Sequence, residues 1–316
     1  TWVFNHPEDC LGVLLELKEM GDNITVEWPE GEKLKVHREI QADNLNVRLK
    51  QDTDWFELSG ELKVDDSLVL SMQKLLELLE QGPQRFIPIG ENEYIAISKT
   101  FRARLSDLHA LTNSTKNKIR VHPLAALAAR DFWDEVGTVE ADKHWKNFIQ
   151  RADKMTEHVP VVPSTLTAQL RDYQLDGFKW LSRLAFLGAG ACLADDMGLG
   201  KTVQALAVIL ERAANGPTLV VAPKSVCPNW EHEVRRFAPT LNPIMFEGKA
   251  RENGLKEIGP FDLVIVTYGL LPQEAEVFSS VRWSTVVLDE AQAIKNVATL
   301  RSKAAMQLEA DFKLIT

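Results

Sequence analysis

Five consecutive residues, Gly198-Leu199-Gly200-Lys201-Thr202, have the types and the spacing that a chain of phosphates needs. A triphosphate carries several negative charges, so its pocket must offer inward-facing backbone N–H groups, a helix N-terminus behind them and one cation within reach. Gly198 and Gly200 let the backbone turn and approach, and Leu199 between them lends its main chain. Lys201 brings the charge and Thr202 offers a hydroxyl to a magnesium ion. The common form of this loop starts with glycine, where this chain has Asp195. A second pair, Asp289-Glu290, follows the apolar run Thr285-Val286-Val287-Leu288. A carboxylate at a strand end near a phosphate loop can hold the metal, usually through its waters, while its neighbour orients the attacking water and accepts its proton. Lys201, Asp289 and Glu290 are therefore the candidate catalytic set, with Thr202 and Asp289 as the metal ligands and a triphosphate with Mg2+ as the bound group.

These residues need a rigid scaffold, and the surrounding sequence supplies one. Gly190 to Ala194 is small and apolar, as a buried strand ahead of the loop must be, and Val203 to Arg212 has apolar residues at helical spacing. Leu170, Tyr173, Gln174, Gly177, Phe178, Leu181 and Leu184 follow the same period and predict a helix before the loop. The amide of Gln174 offers a donor and an acceptor to a base edge, although a surface role serves it equally well. Thr218 to Ala222 and Asp262 to Tyr268 are continuous apolar runs, the pattern of strands covered on both faces. With Thr285 to Leu288 and Phe312 to Thr316 they alternate with helical patterns, Val226 to Phe237 and Leu270 to Ser279. Right-handed parallel crossovers require that alternation. Pro223-Lys224-Ser225 falls at a strand's C-terminal end, where open parallel sheets bind ligands.

The preceding part reads as short antiparallel strands with a few helices. Ile24 to Trp28 and Leu34 to Val36 predict a hairpin about a turn at Pro29 to Glu32. Leu45 to Leu49 is another strand, and Trp55 to Leu58 and Leu62 to Val64 suggest a hairpin about Ser59-Gly60. Leu68, Met72, Leu75, Leu76 and Leu79 lie on one helical face that Gly82-Pro83 ends. Phe86 to Ile89 and Tyr94 to Ile97 return to hairpin character, and helices follow near 100 to 111, 124 to 134 and 141 to 152. The one basic cluster here, Lys116, Lys118 and Arg120 flanked by Asn113 and Asn117, reads as a solvated loop rather than a phosphate-backbone contact. Trp28, Trp55 and Trp133 read as core residues. Val159 to Ser164 contains two prolines, which prevent a helix from continuing, and predicts an extended linker. The domain expectation is thus a smaller α+β accessory domain, 1–160, and a P-loop α/β lobe with a mostly parallel sheet flanked by helices, 161–316.

Composition bounds the function. The hydrophobic fraction of 45% and charged fraction of 26% are ordinary for a globular protein. The net charge of -9 excludes a generally basic nucleic-acid binder, and about -8 of it falls before residue 160 by count. Cys10, Cys192 and Cys227 are odd in number and widely spaced, which argues against a disulfide framework or a zinc site and for a reducing compartment. The longest apolar run, Leu184 to Ala194, is too short to span a bilayer, so no membrane partner is expected, and no signal peptide is visible. A start without methionine and a stop at Thr316 inside an apolar run suggest an excerpt of a longer chain.

Taken together, the motifs resemble the Swi/Snf-type branch of the superfamily-two helicase-like ATPases. The pieces that match are Leu170 to Gly177, Asp195 to Thr202, Val220 to Ser225 with Asn229-Trp230, Val266-Thr267-Tyr268, and Asp289 to Asn296. The family also has aspartate where Asp195 stands. The resemblance implies a RecA-like lobe of a double-stranded DNA translocase, with Gln174 at the adenine and Lys224, Ser225 and Thr267 on the DNA backbone; Trp230 reads as packing. It implies a second motor lobe that carries arginine fingers, so that residues 1–316 alone should bind ATP-magnesium and hydrolyse it slowly. The expected location is the cytoplasm, on a bacterial nucleoid, or a nucleus. A protein partner for residues 1–160 is a further expectation. Two rival readings are an RNA-directed or unwinding helicase of a neighbouring branch and a non-catalytic interaction module regulated by nucleotide.

Overall fold

The computed structural model describes residues 6–21, 24–28, 33–52, 55–65, 68–80, 84–115, 118–155, 157–196, 198–248, 251 and 255–316. The chain divides into two units, Thr1–Gln150 and Arg151–Thr316, so the proline-containing stretch goes with the second.

The first unit runs α1 (Pro7–Glu19), β1 (Lys35–Ile40), β2 (Leu45–Asp52), β3 (Trp55–Lys63), β4 (Val69–Ser71), α2 (Met72–Glu80), β5 (Phe86–Gly90), β6 (Glu93–Ile97), α3 (Lys99–Ala110), β7 (Thr112–Thr115), β8 (Lys118–Val121), α4 (Pro123–Ala128), α5 (Arg130–Glu135), β9 (Thr138–Ala141) and α6 (Lys143–Met155), the last continuing past the division. It holds two sheets, ordered β1-β6-β5 and β7-β8-β3-β2-β9, with β4 paired to β3. The β5–β6 hairpin and the amphipathic helix α2, which buries Met72, Leu75, Leu76 and Leu79, follow the sequence pattern.

Elsewhere the unit departs from expectation. Ile24 to Trp28 has no strand structure, and β1 pairs in parallel with β6 instead of closing a hairpin. Ser59-Gly60 is not a turn: β2 and β3 form one long antiparallel pair from Leu45 opposite Leu62 to Asp52 opposite Trp55. Gly60 serves close strand approach there, because a Cβ on it would lie 2.5 Å from the Asn46 carbonyl oxygen. Lys118 and Arg120 lie on a strand, β8, rather than in a solvated loop. Lys118 Nζ is 2.9 Å from Glu57, and an Arg120 nitrogen is 2.8 Å from Asp52, so both charges are compensated from β2 and β3. Trp133 is buried and its indole N–H donates to the Ala126 carbonyl at 2.7 Å, whereas Trp55 and Trp28 are half-buried. Lys116, Asn117, the Pro29 to Glu32 turn and Gly82-Pro83 lie outside the described residues.

The second unit runs α7 (Asp172–Leu187), β10 (Ala191–Cys192), α8 (Lys201–Arg212), β11 (Thr218–Ala222), α9 (Cys227–Phe237), β12 (Asn242–Met245), β13 (Asp262–Thr267), α10 (Ala275–Ser279), β14 (Trp283–Leu288), α11 (Leu300–Gln307) and β15 (Ala310–Ile315). Its six strands form one sheet ordered β10-β15-β14-β11-β13-β12, and every pairing is parallel. Strand β11 shows why the apolar runs are continuous. Val220 and Ala222 join the core beneath α7, α8 and α9, while Leu219 and Val221 join the core beneath α10 and α11. Both faces are covered, and each fully buried side chain of this size contributes roughly 1.5–3 kcal/mol. Strand β12 was not anticipated, and it holds Pro243, which a sheet accepts on an edge strand. Only Ala275–Ser279 of the expected Leu270 to Ser279 helix is helical. The stretch 159–163 is neither helix nor strand and turns at Ser164, with the Leu166 N–H on the Pro163 carbonyl, before running onto the lobe: Leu166 is buried and Thr167 bonds the Phe237 and Arg236 carbonyls at the end of α9.

Candidate functional site

A parallel sheet delivers the carboxyl ends of all its strands to one edge, and every candidate residue but Gln174, which lies on α7, follows one of those ends or closes it. The phosphate loop follows β10, Pro223-Lys224-Ser225 follows β11, Thr267-Tyr268 closes β13, Asp289-Glu290 follows β14, and Thr316 follows β15.

The loop takes the conformation its glycines permit. Gly198 and Gly200 have φ of 84° and 77°, the left-handed region in which a side chain is strained. Gly200 caps α8, so the free N–H groups of the first helical turn begin at Lys201. A Cβ on Gly200 would also lie 2.4 Å from Gln174 Nε2. The Gln174 side chain is wedged between two backbones: Oε1 accepts from the Arg171 N–H at 3.0 Å and Nε2 donates to the Leu199 carbonyl at 3.0 Å. The Tyr173 hydroxyl donates to the same carbonyl at 3.1 Å. Two successive residues of α7 thus fix the loop from behind. Lys201 Nζ donates to the Asp195 carbonyl at 2.8 Å and so crosses its own loop, and Met197 lies outside the described residues.

Asp195 has a partner that sequence reasoning missed. Gln204, fully buried one turn into α8, donates from Nε2 to Asp195 Oδ2 at 3.0 Å. Helix α7 admits it because residue 177 is glycine, where a Cβ would lie 1.9 Å from Gln204 Oε1. A polar residue amid the apolar run of α8 was the available signal.

Asp289 is held on every side. Its backbone N–H donates to the Val221 carbonyl at 2.9 Å, and its carbonyl accepts from the Tyr268 hydroxyl at 3.0 Å. Its carboxylate accepts from three donors: the Trp230 indole N–H at 2.7 Å on Oδ2, and the Thr316 hydroxyl at 2.6 Å and the Glu290 N–H at 3.0 Å on Oδ1. Burial, reinforced by the Asp289 and Glu290 charges, raises the Tyr268 phenol above its ordinary value, so it remains a donor. Glu290 has φ 52° and ψ 51°, a left-handed geometry rare for a residue with a side chain. The Glu290 carboxylate accepts from the Gln292 amide. Trp230, expected as packing, is packed, with 1% of its surface exposed, and is also a donor to the Asp289 carboxylate.

The donor set fits magnesium. Oδ2 of Asp289 has one protein donor and keeps a lone pair, and Thr202 adds a hydroxyl; both are the hard oxygen ligands this ion takes. Among the described residues no three His, Cys, Asp or Glu side chains group into a metal cage. An ion here would draw most of its ligands from phosphate oxygens and water. Of the candidate backbone contacts, Lys224 and Ser225 are exposed beyond β11, while the Thr267 hydroxyl is engaged by the Leu270 N–H at 3.2 Å.

Comparison with known proteins meets this site. The SNF2-related domain family matches residues 173–316, from Tyr173 behind the loop to Thr316 against Asp289. Over that stretch the chain is similar to an SNF2-related domain. The YwqA protein of Bacillus subtilis is 43% identical over 165 residues, 50% of this chain and 18% of its own length. The chromatin-remodeling ATPase INO80 of Schizosaccharomyces pombe is 37% identical over 169 residues, 48% of this chain and 10% of its own. Among solved structures, the Sulfolobus solfataricus SWI2/SNF2 ATPase core in complex with dsDNA is 37% identical, with a TM-score of 0.46 over 50% of this chain and 34% of that one. The chain spans less than a fifth of the length of these two curated relatives. Among the described residues no helix is long and apolar enough to cross a membrane.

Proposed function

We propose that the SNF2-related domain is the ATP-binding lobe of an ATP-dependent double-stranded DNA translocase or remodeller. The observation that carries this reading is the shared edge: phosphate loop, metal carboxylate and exposed Lys224-Ser225 all lie at carboxyl ends of one parallel sheet. Lys201 and the first N–H groups of α8 bind the phosphates, and Gln174, beside the loop, reads the adenine edge with the donor and acceptor capacity its two backbone bonds leave free. Asp289 and Thr202 hold Mg2+, which neutralises charge on the transferred phosphoryl group. Glu290 orients the attacking water and accepts its proton. Lys224, Ser225 and Thr267 touch the duplex backbone, which positions the protein without reading sequence. The names of matched relatives, chromatin-remodeling ATPases among them, support the same reading. A second lobe of the same protein completes the motor, residues 1–160 serve as an accessory domain toward a protein partner, and the protein works in the compartment that holds its DNA, a nucleoid-bearing cytoplasm or a nucleus. ATPase of the full-length protein with duplex DNA, single strands and duplex RNA tests the proposal. Duplex DNA should stimulate most; preference for RNA would move the protein to a neighbouring helicase branch.

A further inference from the structure

Trp230 and Asp289 are 59 positions apart, yet one bond joins them, and its place in the lobe is informative. The indole lies near the start of α9, which Val226 alone separates from Lys224-Ser225. It is 1% exposed, so its N–H has no water to turn to, and the 2.7 Å bond to Oδ2 is short for an N–H donor. A packing role alone asks for an apolar ring; an indole costs stability when buried unless its N–H is satisfied. Here the satisfying group is the carboxylate oxygen opposite the one shared by Thr316 and Glu290. A second link runs beside it: Tyr268, next to Thr267, holds the Asp289 carbonyl. Each of the two segments that end in exposed or hydroxyl-bearing residues thus reaches the same aspartate by one hydrogen bond.

We infer that Trp230 is a positioning residue for the metal carboxylate: its indole N–H fixes the rotation of Asp289 so that the free lone pair of Oδ2 faces the ion and its waters, and through α9 it ties that rotation to the Lys224-Ser225 loop. This rests on the nucleotide reading of the site. Groups that orient a ligand carboxylate typically cost about 10–100-fold in metal affinity or activity when removed. Trp230→Phe removes the N–H and keeps a buried ring; Val234→Ala, in the same core, removes volume from α9 and keeps the N–H.

The test needs neither DNA nor turnover. Binding of a fluorescent ATP analogue to the chain Thr1–Thr316 is titrated at rising magnesium and in a chelator. In Trp230→Phe the magnesium needed for half-maximal tightening should rise about tenfold, with binding in chelator unchanged, and Val234→Ala should match the unsubstituted chain in both. An unshifted magnesium response in Trp230→Phe, or the same shift in Val234→Ala, overturns the assignment. No nucleotide binding by the unsubstituted chain overturns the reading of the site itself, a separate outcome. Should Trp230→Phe not fold, nitrogen-labelled tryptophan answers instead: one indole N–H resonance should move both on Asp289→Asn substitution and on adding magnesium to the nucleotide-bound chain. If magnesium moves no indole resonance, or moves one that Asp289→Asn leaves in place, the inference fails.

Discussion

On the proposed function Lys201 and Glu290 do different work, and substitution separates them. Lys201 is the one side-chain cation of the loop, so Lys201→Ala should abolish DNA-dependent ATPase in the full-length protein by removing phosphate binding. Glu290→Gln keeps the shape and the acceptor oxygen but cannot take a proton, so ATP binding should persist while turnover is lost. Retained turnover in either variant, measured by phosphate release, removes the assigned role. The cysteines give a second residue-scale contrast. Burial pushes the Cys227 thiol up to about 11, and its Sγ lies within 3.4 Å of the Pro223 carbonyl oxygen. Cys192, beside the loop, is exposed. Alkylation of the native protein near pH 8 should label Cys192 and spare Cys227 until denaturant is added, as peptide mass mapping would show. At this scale the sequence was informative where chemistry is local. Gly198 to Thr202 is one contiguous string, and Asp289-Glu290 is another. The roles of Gln204, Trp230 and Tyr268 were not legible, because each depends on a contact across the fold that spacing along the chain does not encode.

At the scale of elements, the far end of α8 is anchored as firmly as its start. The Arg212 guanidinium donates to the Ser284 carbonyl at 2.9 Å and the Thr285 hydroxyl at 3.1 Å, both on β14, and its carbon lies 5.5 Å over the Phe312 ring. The helix that opens with the loop is thereby tied to the strand that ends at Asp289. Arg212→Ala should lower stability of the second unit by about 2–3 kcal/mol, the typical cost of losing bonds to a charged donor. Chemical denaturation measures it, and Arg212→Lys should recover only part, since an ammonium lacks the planar fork. In the first unit the parallel β1–β6 pair is pinned by Glu93, whose carboxylate meets Lys35 at 2.6 Å and His37 at 2.8 Å. Those bonds, Lys35 first, hold the Glu93 carboxyl below its usual range. A depressed carboxyl contributes stability that is present above the ordinary carboxylate value and lost as pH falls through the folded one. Thermal melts of the chain should therefore fall below about pH 4.3, and Glu93→Gln should flatten that part of the profile. The parallel β1–β6 pairing was illegible for a physical reason: register between strands over fifty residues apart depends on which faces become buried, not on local alternation. The fully buried β11, β13 and β14 were legible because continuous apolar runs between helices have few other ways to fold.

For the whole molecule, the decisive matter is how much of the motor lies within residues 1–316. On the proposed two-lobe reading the arginine fingers come from a second lobe, and such an arginine contributes about a thousandfold to a hundred-thousandfold in rate. On that reading the residues described here do the rest: the loop would grip phosphate, Glu290 would serve as the base, and the Asp289 carboxylate is oriented by its bonds from Trp230, Thr316 and the Glu290 N–H. Binding and chemistry should therefore separate in the chain Thr1–Thr316. It should bind ATP with magnesium, yet release phosphate slower than the duplex-stimulated full-length protein by a factor in that range, and duplex DNA should scarcely accelerate it. Single-turnover phosphate release with and without duplex DNA measures both. Turnover of many per second from residues 1–316 would mean that this lobe completes its own transition-state charge stabilisation, and the two-lobe reading would fall while the nucleotide site stood.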